Sequence, residues 1–127
     1  ICTMTSFDEL LSQRPALQGK YAAFLNAVTD NDNIPAEVLD LCRHRIEEIH
    51  GIRPVSEKMP ATVSDEGRAA LVVAEKIPYQ HHQLLDEEVE DVKRLFGDAG
   101  CVSLLTALAF MDVTCRLNLT IGGENVD

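Results

Sequence analysis

The chain has 127 residues, 46% of which are hydrophobic, with 21 acidic against 11 basic residues and a formal net charge of -10. This length predicts a single domain over residues 1–127 that can bury a core of its own, and the apolar fraction excludes an intrinsically disordered chain. Because so acidic a surface repels phosphate and anionic lipid, we expect no nucleic acid and no membrane among its partners.

Helix-starting and helix-ending residues divide the chain into short elements. Within an N-terminal segment of residues 1–14, Phe7 begins a short helix that stops before Pro15, and because acidic residues interrupt this segment we expect no signal peptide in it. Pro35 suits the first turn of a later helix, and Gly51 suits its C-terminal end. The helices predicted after the first cover about residues 17–28, 35–50, 64–77, 86–94 and 99–119, followed by a tail at 120–127.

The last predicted helix is apolar nearly all round, which is typical of a helix at the centre of a core or of a subunit interface. Asp112 and Arg116 interrupt its uncharged run before it reaches the roughly 18 residues of a membrane span. No run of alternating polar and apolar residues predicts a strand, and either Thr62 or Ser64 caps the fourth helix. We therefore predict an all-α fold of about six helices, with the third and last helices central, that forms a homo-oligomer, a dimer or larger.

Acidic and basic side chains at helical spacing mark one edge of the third helix. Asp40, His44 and Glu48 follow one another at intervals of four residues. A carboxylate–imidazole–carboxylate row can hold a histidine tautomer and pass a proton, which makes these three residues the candidate catalytic group. The same spacing also arises in an ordinary solvated charge ladder on a helix edge, and both interpretations remain open at this point.

Two arginines are candidates for binding a substrate carboxylate. Arg45 projects into the apolar arc of the third helix and needs an acidic partner, for which Glu48 is the nearest. Arg116 follows Asp112 by four residues on the most apolar helix. The alternative for each arginine is a structural ion pair, and we expect Asp112 and Arg116 both to be largely buried and hydrogen-bonded to a charged partner.

No metal-binding or cofactor-binding pattern is present. The four cysteines, at positions 2, 42, 101 and 115, form no C-x-x-C pair, and so sparse a set of thiols predicts a reducing, cytoplasmic location. Glu47-x-x-His50 matches half of a di-iron motif but has no second copy. The adjacent histidines at 81 and 82 suit an exposed loop, and no glycine-rich phosphate loop occurs. We expect no metal and no cofactor.

The order of helices and motifs resembles one protein family. Residues 40–51, Asp-Leu-Cys-Arg-His-Arg-Ile-Glu-Glu-Ile-His-Gly, resemble the helix before the active site in the carboxymuconolactone decarboxylase and AhpD-like alkylhydroperoxidase superfamily. The pattern there is approximately E-L-x-x-L-R-x-A-x-x-N-G-C-x-x-C-x-x-x-H. Further similar stretches lie at residues 63–71, 85–89, 95–99 and 104–116, so that the resemblance covers about residues 15–120. It implies an AhpD-like helical fold and an oligomer.

The chain departs from this family at the redox residues. Ile52 and Val55 stand at the two positions of the C-x-x-C pair, and Met59 stands at the position of the family histidine. A dithiol–disulfide cycle needs two thiols in exchange distance, so we predict that the chain is not a thiol-dependent peroxidase. The thiol nearest the expected site, Cys42, projects into the apolar face of the third helix, where burial suppresses its reactivity.

These observations predict a non-redox member of the superfamily that binds a small organic acid or an apolar metabolite in a helical pocket. The alternative is an acid–base decarboxylase or isomerase that uses Asp40, His44 and Glu48, with Arg45 or Arg116 binding a carboxylate. Family alkylhydroperoxidase activity and a purely structural oligomer are further alternatives. A likeness of fold by itself assigns no substrate.

Overall fold

A computed structural model describes residues 7–29, 32–55 and 63–121. Within these ranges the backbone is helical, without a strand, which confirms the predicted all-α class. Cys2, Met59 and Thr62 lie outside the described residues. The elements are α1 (Phe7–Leu11), α2 (Pro15–Thr29), α3 (Ala36–Ile49), α4 (Asp65–Lys76), a 3-10 turn (His81–Gln83) and α5 (Asp86–Thr120).

The helix ends follow the capping residues in the sequence. Pro35 immediately precedes α3, and Gly51 follows it with a φ of 77°, a left-handed conformation that glycine adopts without a steric penalty. At α4, the Ser64 hydroxyl accepts a hydrogen bond from the Gly67 N–H at 3.0 Å. That bond satisfies one of the N–H groups left without a partner in the first turn, so the predicted cap at Ser64 is confirmed.

The last two predicted helices form one 35-residue element with a break at Gly97. Gly97 has φ 78° and ψ 172°, and helical structure lies on both sides of it. Three residues later the chain passes so close to itself that a Cβ on Gly100 would lie 2.6 Å from the Cβ of Phe96. The first glycine permits the change of direction, and the second permits the tight approach that follows.

The core lies between α3, α4 and the second segment of α5. Helix α5 supplies more buried hydrophobic residues than any other element, as expected for a central last helix, whereas α3 shares its predicted central position with α4, which contributes equally. Helix α2 covers another side of α5 through aromatic contacts, in which Phe110 packs against Tyr21 and Phe24. The largest fully buried side chains are Cys42, Ile46, Val73, Val92, Leu104 and Leu108.

One face of α5 remains open to solvent. Val102 is 66% exposed and Val113 is 42% exposed, although both belong to the helix that is apolar nearly all round. Because α2, α3 and α4 cover only part of the circumference of α5, a single chain leaves this apolar face of the helix uncovered.

By length and composition, α5 is also apolar enough to cross a membrane, and it alone meets that criterion among the described residues. The central helix of a globular core meets the same criterion. The kink at Gly97 and the buried, paired Asp112 both lie within this helix.

Candidate functional site

Three elements bring four polar side chains together at one end of the fold. His50 is the C-terminal cap of α3, and Tyr79 follows Pro78 in the turn after α4. Asp112 and Arg116 lie one turn apart on α5. We call the set of His50, Tyr79, Asp112 and Arg116 the Tyr79 network.

The imidazole of His50 joins a phenol to a carboxylate. Its Nε2 lies 2.5 Å from Oδ1 of Asp112, and its Nδ1 lies 3.2 Å from the hydroxyl of Tyr79. Since a carboxylate only accepts hydrogen bonds, the proton of a neutral His50 belongs on Nε2. The free lone pair of Nδ1 then accepts the Tyr79 O–H. The side chain of His50 is only 1% exposed, so these two partners replace water around the ring.

Arg116 connects the buried carboxylate to the surface. Its Nε donates to Oδ2 of Asp112 at 3.0 Å, and its Nη2 donates to the Pro78 carbonyl oxygen at 2.5 Å. The guanidinium carbon lies 5.0 Å from the centre of the Tyr79 ring, within the range of a cation–π contact. With 46% of its side chain exposed, Arg116 holds a fixed positive charge beside the exposed Tyr79.

This arrangement can move a proton between the surface and the interior. If the Tyr79 hydroxyl gives up its proton, Nδ1 of His50 is in position to take it, and Asp112 stabilises the resulting imidazolium. The guanidinium of Arg116 stabilises the phenolate through the ring. The roles parallel those of a hydroxyl–imidazole–carboxylate triad, with an exposed phenol as the reacting end.

The predicted catalytic row on α3 lies apart from this network. Asp40 is 66% exposed and pairs with Arg43 at 2.7 Å, while His44 is exposed. Glu48 is half-buried and pairs with Arg45 at 3.2 Å. Among the described residues no hydrogen bond joins either carboxylate to His44, because basic side chains three residues away have bound both of them. The arrangement is that of a charge ladder on a helix edge.

Arg45, a candidate for substrate binding, makes an ion-pair cluster between α3 and α4. Its Nε donates to Glu75 at 2.8 Å and its Nη1 donates to Glu48 at 3.2 Å, which confirms Glu48 as a partner. The hydrogen bond to Glu75 is the largest of the effects that raise the pKa of Arg45. The guanidinium of Arg45 therefore has two carboxylate partners of its own, neither of which belongs to the Tyr79 network.

For the other candidate arginine, the predicted pairing of Arg116 with Asp112 is confirmed, but the predicted burial of Arg116 is wrong. Asp112 is buried, with a relative exposure of 9%, whereas nearly half of the Arg116 side chain reaches solvent. The difference arises because the two residues lie near the end of α5, where Asp112 faces α3 and Arg116 crosses over Tyr79 towards the surface.

The cysteines offer no reactive thiol among the described residues. Cys42 is 0% exposed, and burial raises its pKa to about 12. Burial, together with the nearby carboxylates of Glu47 and Asp112, raises the pKa of Cys115 to about 11. Such thiols stay protonated and inaccessible at neutral pH.

At the positions of the family's redox pair, Ile52 is buried in the core and Val55 is exposed. No group of three potential metal ligands occurs among the residues that the structure describes.

Sequence reasoning missed His50 and Tyr79 as functional residues. The sequence indicated His50 only as half of a metal motif, and it indicated no role for Tyr79. Two local signals were available, since His50 stands directly before the glycine that ends α3 and Tyr79 directly after the proline that ends α4. Neither signal reveals the partners, which lie 29 and 62 residues from His50 along the chain.

A shallow apolar hollow of about 380 Å³ lies elsewhere, between α2 and α5. It is open to solvent along the exposed face of α5. Its lining residues are Phe24, Leu105, Thr106, Ala109, Phe110 and Val113.

Comparisons of the chain with family models, with curated proteins and with solved structures yield no match.

Proposed function

We propose that this chain is a C-x-x-C-less relative of the carboxymuconolactone decarboxylase and AhpD-like superfamily and that it binds a small organic acid at the Tyr79 network. The observation that carries the proposal is the guanidinium of Arg116, half-exposed and held in place by Asp112, the Pro78 carbonyl and the Tyr79 ring. A fixed, planar guanidinium is the group that proteins use to bind carboxylates.

The position of the network supports the family assignment. His50 lies two residues before Ile52, the first position of the redox pair in the resemblance. The site proposed here therefore lies beside the place where the superfamily has its active site, but it uses an imidazole and a phenol where the superfamily has thiols. Such a change retains a helical scaffold while replacing redox chemistry with polar recognition.

The charges of the network also favour an anionic ligand. Asp112 is shared between Arg116 and His50, so the network is neutral when His50 is neutral and carries one positive charge when His50 is protonated. A carboxylate bound to the exposed side of Arg116 would balance that charge. Recognition of this kind is local, since the chain as a whole is acidic.

Calorimetric titration of the purified chain with acetate and benzoate, each against its matched amide, tests the proposal. We expect the acids to bind and the amides to bind at least tenfold more weakly. Arg116→Gln should weaken acid binding by about tenfold or more, the contribution of one charge-assisted hydrogen bond. Arg68→Gln is the matched control, because Arg68 is an exposed arginine on α4. Equal binding of acids and amides, or an unchanged Arg116 variant, would contradict the proposal.

We also propose that two copies of the chain associate through the exposed face of α5. This face has no charged residue between Ala99 and Met111. Two chains of net charge -10 can therefore associate through it without bringing charged residues of this stretch into contact. Its pattern is self-complementary: an antiparallel copy related by a two-fold axis near residue 107 brings Val102 opposite the partner subunit's Val113, with the hollow between them.

Sedimentation at micromolar concentration tests this association, with a particle of twice the mass of one chain as the expected result. Val102→Asp should give single chains, because it places a charge at the centre of the apolar contact. Val72→Asp is the control, since Val72 is an exposed valine on α4 and its change should leave the dimer intact. A single chain in the unmodified protein would refute the association.

We propose a cytoplasmic location as well. The three described cysteines are free, and α5 carries Asp112 and Arg116 in its apolar stretch. Recovery of the expressed chain in the membrane fraction would contradict this location.

A further inference from the structure

We infer that the Tyr79 network is a catalytic site in which Tyr79 exchanges a proton with a carbon atom of a bound oxo acid. The inference rests on the proposed binding of organic acids and adds a reaction to it. Its basis is the juxtaposition of an exposed phenol, a nearly fully buried imidazole and a buried carboxylate, joined in that order by hydrogen bonds.

The direction of the hydrogen bonds determines the direction of proton transfer. With its Nε2 proton donated to Asp112, a neutral His50 presents the lone pair of Nδ1 to the Tyr79 hydroxyl. Both nitrogens of the buried ring are engaged, Nδ1 by the phenol and Nε2 by the carboxylate, so the ring can take up the phenol proton while Asp112 stabilises the resulting charge. Asp112 and the buried His50 therefore act as positioning residues, and the hydroxyl of Tyr79, a residue that is 57% exposed, is the group that meets the substrate.

The site fits a small carboxylic acid that also carries a ketone. Its carboxylate would bind Arg116, whose guanidinium carbon lies 5.0 Å from the centre of the Tyr79 ring, and a ketone on the next carbon would give the phenol an acidic C–H bond to act on. A C–H bond beside a ketone is weakly acidic and needs a strong base. A phenolate is a stronger base than a carboxylate or an imidazole, which makes Tyr79 better suited to this step than Asp40 or His44.

The proton transfers balance without any further reactant. The Tyr79 proton moves to Nδ1 of His50, and the phenolate oxygen then takes a proton from the carbon beside the ketone. The electrons of the broken C–H bond form a C=C bond, and the C=O electron pair moves onto the oxygen to give an enolate. The imidazolium of His50 and the guanidinium of Arg116 offset its negative charge. In the reverse direction, Tyr79 returns a proton to the same carbon and His50 returns its proton to Tyr79.

Deuterium exchange gives a direct test. The full chain is incubated in D₂O with 2-oxobutanoate, and loss of the C3 proton signal is followed by NMR, with 2-butanone as the neutral substrate control. We expect exchange of the oxo acid well above the buffer rate and no acceleration for the neutral ketone. The two compounds share the reactive CH₂ group but only the acid offers a carboxylate to Arg116.

Tyr79→Phe removes the reacting oxygen and leaves the ring beside Arg116. We expect it to lower the exchange rate by at least 100-fold while calorimetric binding of 2-oxobutanoate is unchanged. Tyr21→Phe is the matched control, because the Tyr21 hydroxyl contacts Thr114, which lies on a different face of α5 from Asp112 and Arg116, and takes no part in the site. Its exchange rate should equal that of the unmodified chain.

The role of His50 is tested by His50→Gln, which should lower kcat for exchange without raising KM. Restoring a proton acceptor with added imidazole should then recover part of the rate, an effect that a merely structural histidine would not show. If 2-oxobutanoate binds but does not exchange, or if Tyr79→Phe exchanges normally, the catalytic inference is overturned and the binding proposal stands. If 2-oxobutanoate does not bind, both fail.

Discussion

Two arginine–carboxylate clusters join helices of this protein, and they differ in what else they contain. The Arg45 cluster links α3 to α4 through Glu48 and Glu75 and holds only fixed charges. The Tyr79 network links α3 to α5 through Asp112 and Arg116, and it adds an imidazole and an exposed phenol. The first cluster can hold two helices together. The second also offers a chain of hydrogen bonds from an exposed tyrosine through a buried imidazole to a carboxylate, along which a proton can pass.

The comparison shows why a charge pattern on one helix is a weak guide to function. Asp40, His44 and Glu48 share an edge of α3, yet local pairing with Arg43 and Arg45 occupies the two carboxylates. His50 has partners on the turn after α4 and on α5. Partners on other elements can surround a histidine and exclude water, which neighbours on its own helix cannot do.

The largest effect should come from Asp112→Ala. We expect it to lower the free energy of unfolding by about 3 kcal/mol, because it leaves the Nε2–H of buried His50 without an acceptor and Arg116 without its carboxylate. Urea denaturation measures the change. Glu75→Ala, which removes the corresponding carboxylate of the Arg45 cluster, is the comparison. It should lower the free energy of unfolding by well under half as much. Equal losses would mean that the two clusters have the same role.

A smaller loss of stability is expected for Arg116→Ala, about 1.5 kcal/mol in the same experiment. Complete burial of Arg116 would predict a larger loss of about 3–5 kcal/mol, but half of this side chain already contacts water and Asp112 retains its bond to His50. The same variant should lose organic-acid binding. A decrease of 3 kcal/mol or more in the free energy of unfolding would indicate that Arg116 behaves as a buried residue.

Arg45→Ala should cost about 0.5–1 kcal/mol, since its two pairs are partly exposed and largely screened by solvent. Neither organic-acid binding nor deuterium exchange should change. This variant therefore separates structural from functional arginines. A reduced affinity for acids would reassign Arg45 to the binding site.

The smallest effect is expected from reagents and substitutions that act on the cysteine thiols. Burial holds the pKa of Cys42 at about 12, well above the ordinary value of 9.0, so this side chain stays a protonated thiol through pH 9, where an exposed cysteine is half ionised. A thiol-specific reagent at pH 9 should leave Cys42 unmodified until the chain unfolds. Incubation with an alkyl hydroperoxide and a dithiol should show no turnover above the uncatalysed rate, with or without Cys42→Ser. Turnover that this substitution abolishes would restore the redox hypothesis.

Local sequence signals predicted much of the fold. The proline before α3, the serine cap of α4 and the glycine at the break in α5 all act within one turn of the backbone, and the structure confirms each of them. The apolar arc of α3 likewise identified Val38, Cys42 and Ile46 as core residues. Helical periodicity places such residues on one face before any tertiary contact forms.

The apolar pattern of α5 was less informative, because hydrophobicity on every side does not say which side the rest of the chain covers. Val102 and Leu104 are two residues apart and equally apolar, yet the first is 66% exposed and the second is fully buried. Only the packing of α2, α3 and α4 distinguishes them. The open face is the surface that we propose a second copy covers.

The sequence by itself determined the all-α class, the ends of α3 and α4, the apolar side of α3 on which Cys42 lies and the pairing of Asp112 with Arg116, because each depends on residues no more than one or two turns apart. Only the tertiary structure decided which histidine is enclosed. His50 meets Tyr79 and Asp112 through contacts that span 29 and 62 residues, and such contacts follow from how helices pack rather than from any spacing along one of them. The same packing left His44 exposed to solvent, although it lies only six residues before His50 on the same helix.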